Sequence, residues 1–154
     1  MIKQGVSGGG GGGGGIDGPT MRVYLNANLG GITGGPTTVA WQFVQWDTDG
    51  AYSAGVYTVA TAGVYWLAAS VWDFGGSGPQ ADAVITHNAT VVARGNQPTT
   101  TGITDTFLVS THLSLAVGDT VEIQMDVHSG TVTPRGSTNG EWSYWSLARV
   151  GSTP

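Results

Sequence analysis

The stretch Gly55-Val56-Tyr57-Thr58-Val59-Ala60-Thr61-Ala62-Gly63-Val64-Tyr65-Trp66-Leu67-Ala68-Ala69-Ser70-Val71 decides the fold class. It reads as two β-strands around an Ala-Gly turn, built from the β-branched and aromatic residues that suit a pleated surface. The second strand, carried on to Trp72, is apolar on both faces. Alternation puts Tyr65, Leu67, Ala69 and Val71 on one side and Val64, Trp66, Ala68 and Trp72 on the other. A strand in a sandwich needs only one buried face. The second apolar face predicts a covering surface outside the subunit's own core, either a neighbouring copy of the chain or an aromatic groove for a ligand. Val39-Ala40-Trp41-Gln42-Phe43-Val44-Gln45-Trp46 has the same two-faced character.

Beyond residue 20, short Val/Thr/Tyr/Trp-rich segments recur between Gly, Pro and Asn clusters, which predicts an antiparallel all-β domain without helices. Strands are expected near 21–26, 39–46, 55–59, 63–72, 81–87, 90–94, 104–115, 119–128 and 142–150. If consecutive strands run antiparallel, the long connections 73–80, 95–103 and 129–141 share one end, and the short turns near Thr61, Asn88 and Gly118 share the other.

Three segments carry a family resemblance. Gly55 to Val71 resembles the signature of the C1q/TNF-like jelly-roll domain. Ala83-Val84-Ile85-Thr86-His87-Asn88-Ala89-Thr90-Val91-Val92 is similar to the family's strand, turn and strand. Leu113-Ser114-Leu115-Ala116-Val117-Gly118-Asp119-Thr120-Val121-Glu122-Ile123 is similar to its Leu-x-x-Gly-Asp-x-Val hairpin. The closing segment, Ser143 to Val150, has Trp145 in the family's aromatic position but Leu147 where Gly is usual, and Asn88-Ala89 stands in place of Asn-Gly. The resemblance spans most of residues 20 to 150 and implies a jelly-roll β-sandwich that assembles as a homotrimer and binds rather than catalyses. It also implies that the first strand lies antiparallel beside the last, with both termini at the short-turn end. Trp41, Phe43, Tyr65, Trp66 and Trp145 are the expected trimer-interface residues.

Length and composition bound the rest. At 154 residues the chain supports one sizeable core, assigned to residues 20–154, with residues 1–19 as an N-terminal anchor segment and polyglycine linker. Charged residues are 10% of the chain, against about 25% in typical soluble domains, so the surface is hydroxyl-rich and weakly charged. With Lys3 the only lysine and a formal net charge of -5, there is no basic patch to track phosphates, and nucleic acid is not an expected partner. The absence of cysteine removes thiol and zinc-thiolate chemistry. No apolar run is long enough to span a bilayer, so membrane insertion is not expected.

The eight glycines from Gly8 to Gly15 separate the head Met1-Ile2-Lys3-Gln4-Gly5-Val6-Ser7 from the folded part. As a coil they span roughly 15 Å; alternatively, three such runs could wind together as a side-chain-free stalk. The head has no apolar run of signal-peptide length. An adhesin-like fold made without an export signal suggests release by cell lysis, as for proteins built into a phage particle. A virion surface is therefore the expected location, with the bacterial cell surface as the alternative, and Met1 to Ser7 is expected to dock on a capsid or tail protein.

Candidate chemistry is sparse. Asp47-Thr48-Asp49-Gly50 invites a calcium reading but lacks the further ligands of an EF-hand loop, and a plain turn is expected there. His87, His112 and His128 are too separated for a metal signature, so no metal or cofactor is assigned. There is no Gly-x-Ser-x-Gly elbow, and a non-enzyme is expected. Asn88-Ala89-Thr90 fits a glycosylation sequon but is expected to be a turn. Trp72, Asp73, Phe74 and Arg135, where a strand opens into one long loop and a Gly/Pro-containing loop faces it, form the expected exposed contact set for a host-surface glycan or protein. The expected function is trimeric surface display or adhesion, as a phage fibre, decoration or tail-tip component. The alternatives are a purely structural capping or stabilising virion protein, or a glycan-binding or glycan-acting domain.

Overall fold

The computed structural model describes residues 18–74, 78–95 and 105–152. Within them the chain forms β1 (Thr20–Tyr24), β2 (Pro36–Thr38), β3 (Phe43–Asp47), β4 (Tyr52–Ser53), β5 (Val56–Thr58), β6 (Gly63–Trp72), β7 (Gln80–His87), β8 (Thr90–Arg94), β9 (Thr106–Leu115), β10 (Thr120–Ser129) and β11 (Tyr144–Gly151). One sheet has the order β3-β1-β11-β6-β9. The other has the order β4-β5-β10-β7-β8, with β2 also on β10. The long strands pair antiparallel within each sheet, and the chain crosses between the sheets from β6 to β7, β8 to β9, β9 to β10 and β10 to β11, the crossing pattern of a jelly roll.

Alternation resolves into an inside and an outside. Along β6, Tyr65, Leu67, Ala69 and Val71 are buried between the sheets, and register carries that face to Leu147 and Trp145 on β11 and to Met21 and Val23 on β1. Ile85, Ile123 and Met125 close the core from the second sheet. Trp145, Tyr57, Tyr65 and Phe107 are its largest fully buried side chains. Each large apolar side chain sealed in this way stabilises the fold by about 1.5–3 kcal/mol.

Three side chains expected at the trimer interface are therefore in the subunit's own core: Trp41, Tyr65 and Trp145. For Tyr65 and Trp145 the cause is strand parity. For Trp41 it is a kink: its N–H donates to the Val39 carbonyl at 3.0 Å, so residues 39–42 are not extended and Trp41 turns inward although Phe43, two residues on, faces out.

The ends separate as expected. Thr20 pairs with Ala148 and Tyr24 with Tyr144, so β1 begins where β11 finishes, beside the short turns. The loops that begin at Asp73, Gly95 and Ser129 leave from the opposite end. Met1 to Ser7 and the glycine run lie outside the described residues, as do residues 75–77 and 96–104.

Two turn positions show how local chemistry fixes this end. A Cβ on Gly63 would sit 2.6 Å from the Gly151 carbonyl oxygen and 2.9 Å from Arg149 Cδ, so the approach of β6 to β11 admits only glycine. Asn88 and Ala89 both adopt positive φ, 49° and 63°. Asn88 suits that conformation and secures the turn: its Nδ2 donates to Asp119 Oδ1 at 2.9 Å and its Oδ1 accepts the Thr120 N–H at 2.9 Å. The sequon asparagine is thus engaged in turn formation.

Candidate functional site

The outward face of the five-stranded sheet is the first candidate surface. It carries Trp66 (39% exposed) at the centre, Trp46 (45%) toward β3 and Leu108 (57%) on β9. The order of strands explains the juxtaposition: Trp66 lies opposite Ala148 on one side and His112 on the other, and Trp46 lies opposite Arg22. Small residues at Ala68, Ser110, Ser146 and Ala148 leave room around the rings. Two hollows of about 300 Å³ result, one shared by Trp66, Leu108 and Tyr144 and one by Trp46, Trp66 and Ala148. Bulky apolar projections beside small-residue hollows on one sheet face make it a candidate association surface. Phe43 and Trp66 are the two expected interface residues on it. Trp46, Leu108 and Tyr144 belong with them; their signal was parity with Trp66 once strands are paired.

A second cluster occupies the long-loop end. Trp72 closes β6 on the outward side, and the chain continues through an extended bridge: Arg135 N–H donates to the Trp72 carbonyl at 2.7 Å, Phe74 N–H to the Thr133 carbonyl at 3.0 Å, and Asp73 pairs with Pro134. This ladder sets Arg135 between aromatic rings. Its guanidinium carbon is 3.7 Å from the Trp142 ring centre, 4.8 Å from Phe74 and 5.0 Å from Trp72. Trp72 and Trp142 meet edge to face at 5.1 Å. Trp142 is itself fixed, since Ser70 Oγ donates to its carbonyl at 3.2 Å. Phe74 is 52% exposed, so the cluster opens to solvent.

Three of the four residues expected here, Trp72, Phe74 and Arg135, are therefore brought together, and Trp142 joins them. Asp73 differs. It is buried, and its Oδ1 accepts the Thr133 N–H at 2.6 Å, which holds the bridge.

Several other titratable groups have structural employment. Asp47 Oδ2 accepts the Tyr52 N–H at 2.9 Å and Asp49 Oδ2 accepts the Tyr57 hydroxyl at 2.8 Å, tying the turn after β3 to the next hairpin. Burial raises the Asp49 pKa first of all; the Tyr57 bond opposes it and the nearby Asp47 carboxylate adds to it. His87 meets Asp119 at 2.9 Å and His128 meets Asp82 at 3.2 Å, while His112 lies on the outward face. Among the described residues no group of three or more His, Asp or Glu is placed to hold a metal ion.

Solved structures share this architecture. Murine APRIL at pH 8.0 superposes with a TM-score of 0.65 at 12% identity, over 85% of this chain and 98% of that one. The structure of Eiger TNF from S. frugiperda gives 0.61 at 15% identity, over 88% and 94%. The globular domain of zebrafish complement 1qA protein gives 0.60 at 15% identity, over 88% and 98%. The fold is the C1q/TNF-like jelly roll. No protein-family model matches the chain, and no curated protein sequence matches it.

Proposed function

We propose that the chain is a non-enzymatic homotrimeric display and attachment module, held at its short-turn end and presenting its long-loop end outward. The observation that carries this reading is the open apolar face of the five-stranded sheet. Exposed Trp66, Trp46 and Leu108 beside hollows floored by Ala and Ser offer projections and recesses to neighbouring copies, which a closed ring of such contacts would cover. Trimeric assembly is also what the resemblance implies.

The proposed setting is a phage virion, as a fibre, decoration or tail-tip component. Its support is the order of parts: the segment Met1 to Ser7, eight glycines, then a jelly roll whose first strand starts at the end opposite the long loops. In this reading Met1 to Ser7 docks on a capsid or tail protein, and the Trp72, Phe74 and Arg135 cluster faces the host surface. Deleting Met1 to Ser7 tests the arrangement. The truncated chain is expected to remain a folded trimer and to be lost from the particle, because those residues precede the β-core; normal incorporation would move the anchoring surface onto the jelly roll.

A further inference from the structure

We propose that the Arg135 cluster is a binding site for a carboxylate-bearing sugar, with Arg135 clamping the carboxylate and Trp142, Phe74 and Trp72 supporting the guanidinium and the sugar ring. The inference rests on the reading of the long-loop end as the contact end, and names what it contacts. The deciding observation is a contrast among arginines. Arg22 donates to Ser146 and to the Gly140 carbonyl, Arg94 to Asp82 and Asp126, and Arg149 to the Ala62 carbonyl. Among the described residues the Arg135 guanidinium donates to no acceptor and has no carboxylate within ion-pair distance.

Among the described residues its partners are three aromatic rings. These hold the planar group by cation–π contact and leave its N–H edge, which has up to five donors, unspent. A guanidinium held this way is preorganised for a planar two-oxygen acceptor, and a carboxylate fits that fork in bidentate fashion. One isolated cation in a chain of net charge -5 matches a single negative charge better than a dianionic phosphate ester. The exposed Phe74 ring and the partly buried Trp142 and Trp72 rings supply flat apolar surface beside that fork, which suits the C–H face of a pyranose. A carboxylated pyranose unites both halves.

The test uses the full chain, with methyl sialoside and methyl glucuronide as probes and methyl glucoside as the neutral control, read by saturation-transfer NMR. Saturable transfer to either acidic glycoside and none to the glucoside is expected. Arg135→Gln should weaken binding roughly ten- to hundredfold, the worth of a charged hydrogen-bonded pair. Arg135→Lys, which keeps the charge and loses the fork, should fall between, and Phe74→Ala, at an exposed position, should weaken binding several-fold without unfolding. Molecular mass is measured in the same buffer. A trimer that ignores both acidic glycosides at millimolar concentration, or one that binds them equally well with Gln at 135, overturns the sugar site and leaves the trimer reading standing. A monomer that binds them through Arg135 does the reverse.

Discussion

Tyr65 and Trp66 are sequence neighbours on one strand with opposite surroundings. Tyr65 is fully buried, its ring 6.4 Å from that of Tyr57 and its hydroxyl on the Thr61 carbonyl at 2.5 Å; Trp66 stands 39% exposed above hollows floored by alanine and serine. The same contrast runs across the sheet, with Trp145 inside and Tyr144 outside, and Met21 inside and Arg22 outside. Both faces are apolar near the centre, but only one is sealed by the subunit itself. In the proposed trimer such a sheet uses one face for folding and keeps the other for association.

The comparison predicts that equally drastic changes on the two faces have different consequences. Trp145→Ala should cost about 3–5 kcal/mol, because it opens a cavity the size of an indole in the core, and should show as a large fall in denaturant midpoint. Trp66→Glu should leave far-UV circular dichroism native while abolishing self-association and making the melting temperature independent of protein concentration. A native-mass assembly for Trp66→Glu would break the contrast. Two changes at the turn end sharpen it by altering stability without touching the outward face. Gly63→Val should destabilise by about 1–3 kcal/mol, since its side chain must displace Arg149 or the Gly151 carbonyl. Ala89→Gly should stabilise by about 1 kcal/mol by relieving a left-handed alanine. In both, sedimentation should report the wild-type assembly.

The smallest effect concerns pH. The Asn88 side chain, the Ala116 N–H and His87 together lower the Asp119 pKa from 3.8 to about 2. A depressed carboxylate stabilises the folded state above its unfolded pKa and loses that contribution as pH falls through its folded one. The melting-temperature gap between wild type and Asp119→Ala should therefore narrow between pH 4 and about 2, where the groups titrate. Mass measured above that window should be unchanged by the substitution.

Much of this was legible in the chain. The strands from Gly63 onward fall close to where alternation and turn residues put them, because β-branched runs between Gly, Asn and Gly-Asp turns leave few other solutions. The two-residue β4 and three-residue β2 were not visible, being too short to show a period. The identity of the interior face was only half legible. Within β6 both faces are apolar, so alternation separates Tyr65 from Trp66 without saying which is core. The answer lies in β11, where Trp145 and Leu147 alternate with Ser146 and register to Ala69 and Leu67. At Trp41 alternation fails altogether, because the bond back to Val39 breaks the strand period. At the loop end, Trp72, Phe74 and Arg135 could be grouped by their place beside long loops. Trp142 could not, since its meeting with Arg135 depends on how residues 129–141 fold back.

The central claim is that the open face of the five-stranded sheet is covered by copies of the same chain. Sedimentation equilibrium of the intact protein at micromolar concentration tests it most directly. The account predicts a single species of three times the 15.7 kDa chain mass, reduced to the single-chain mass by Trp66→Glu. A monodisperse monomer for the unmodified chain would contradict it.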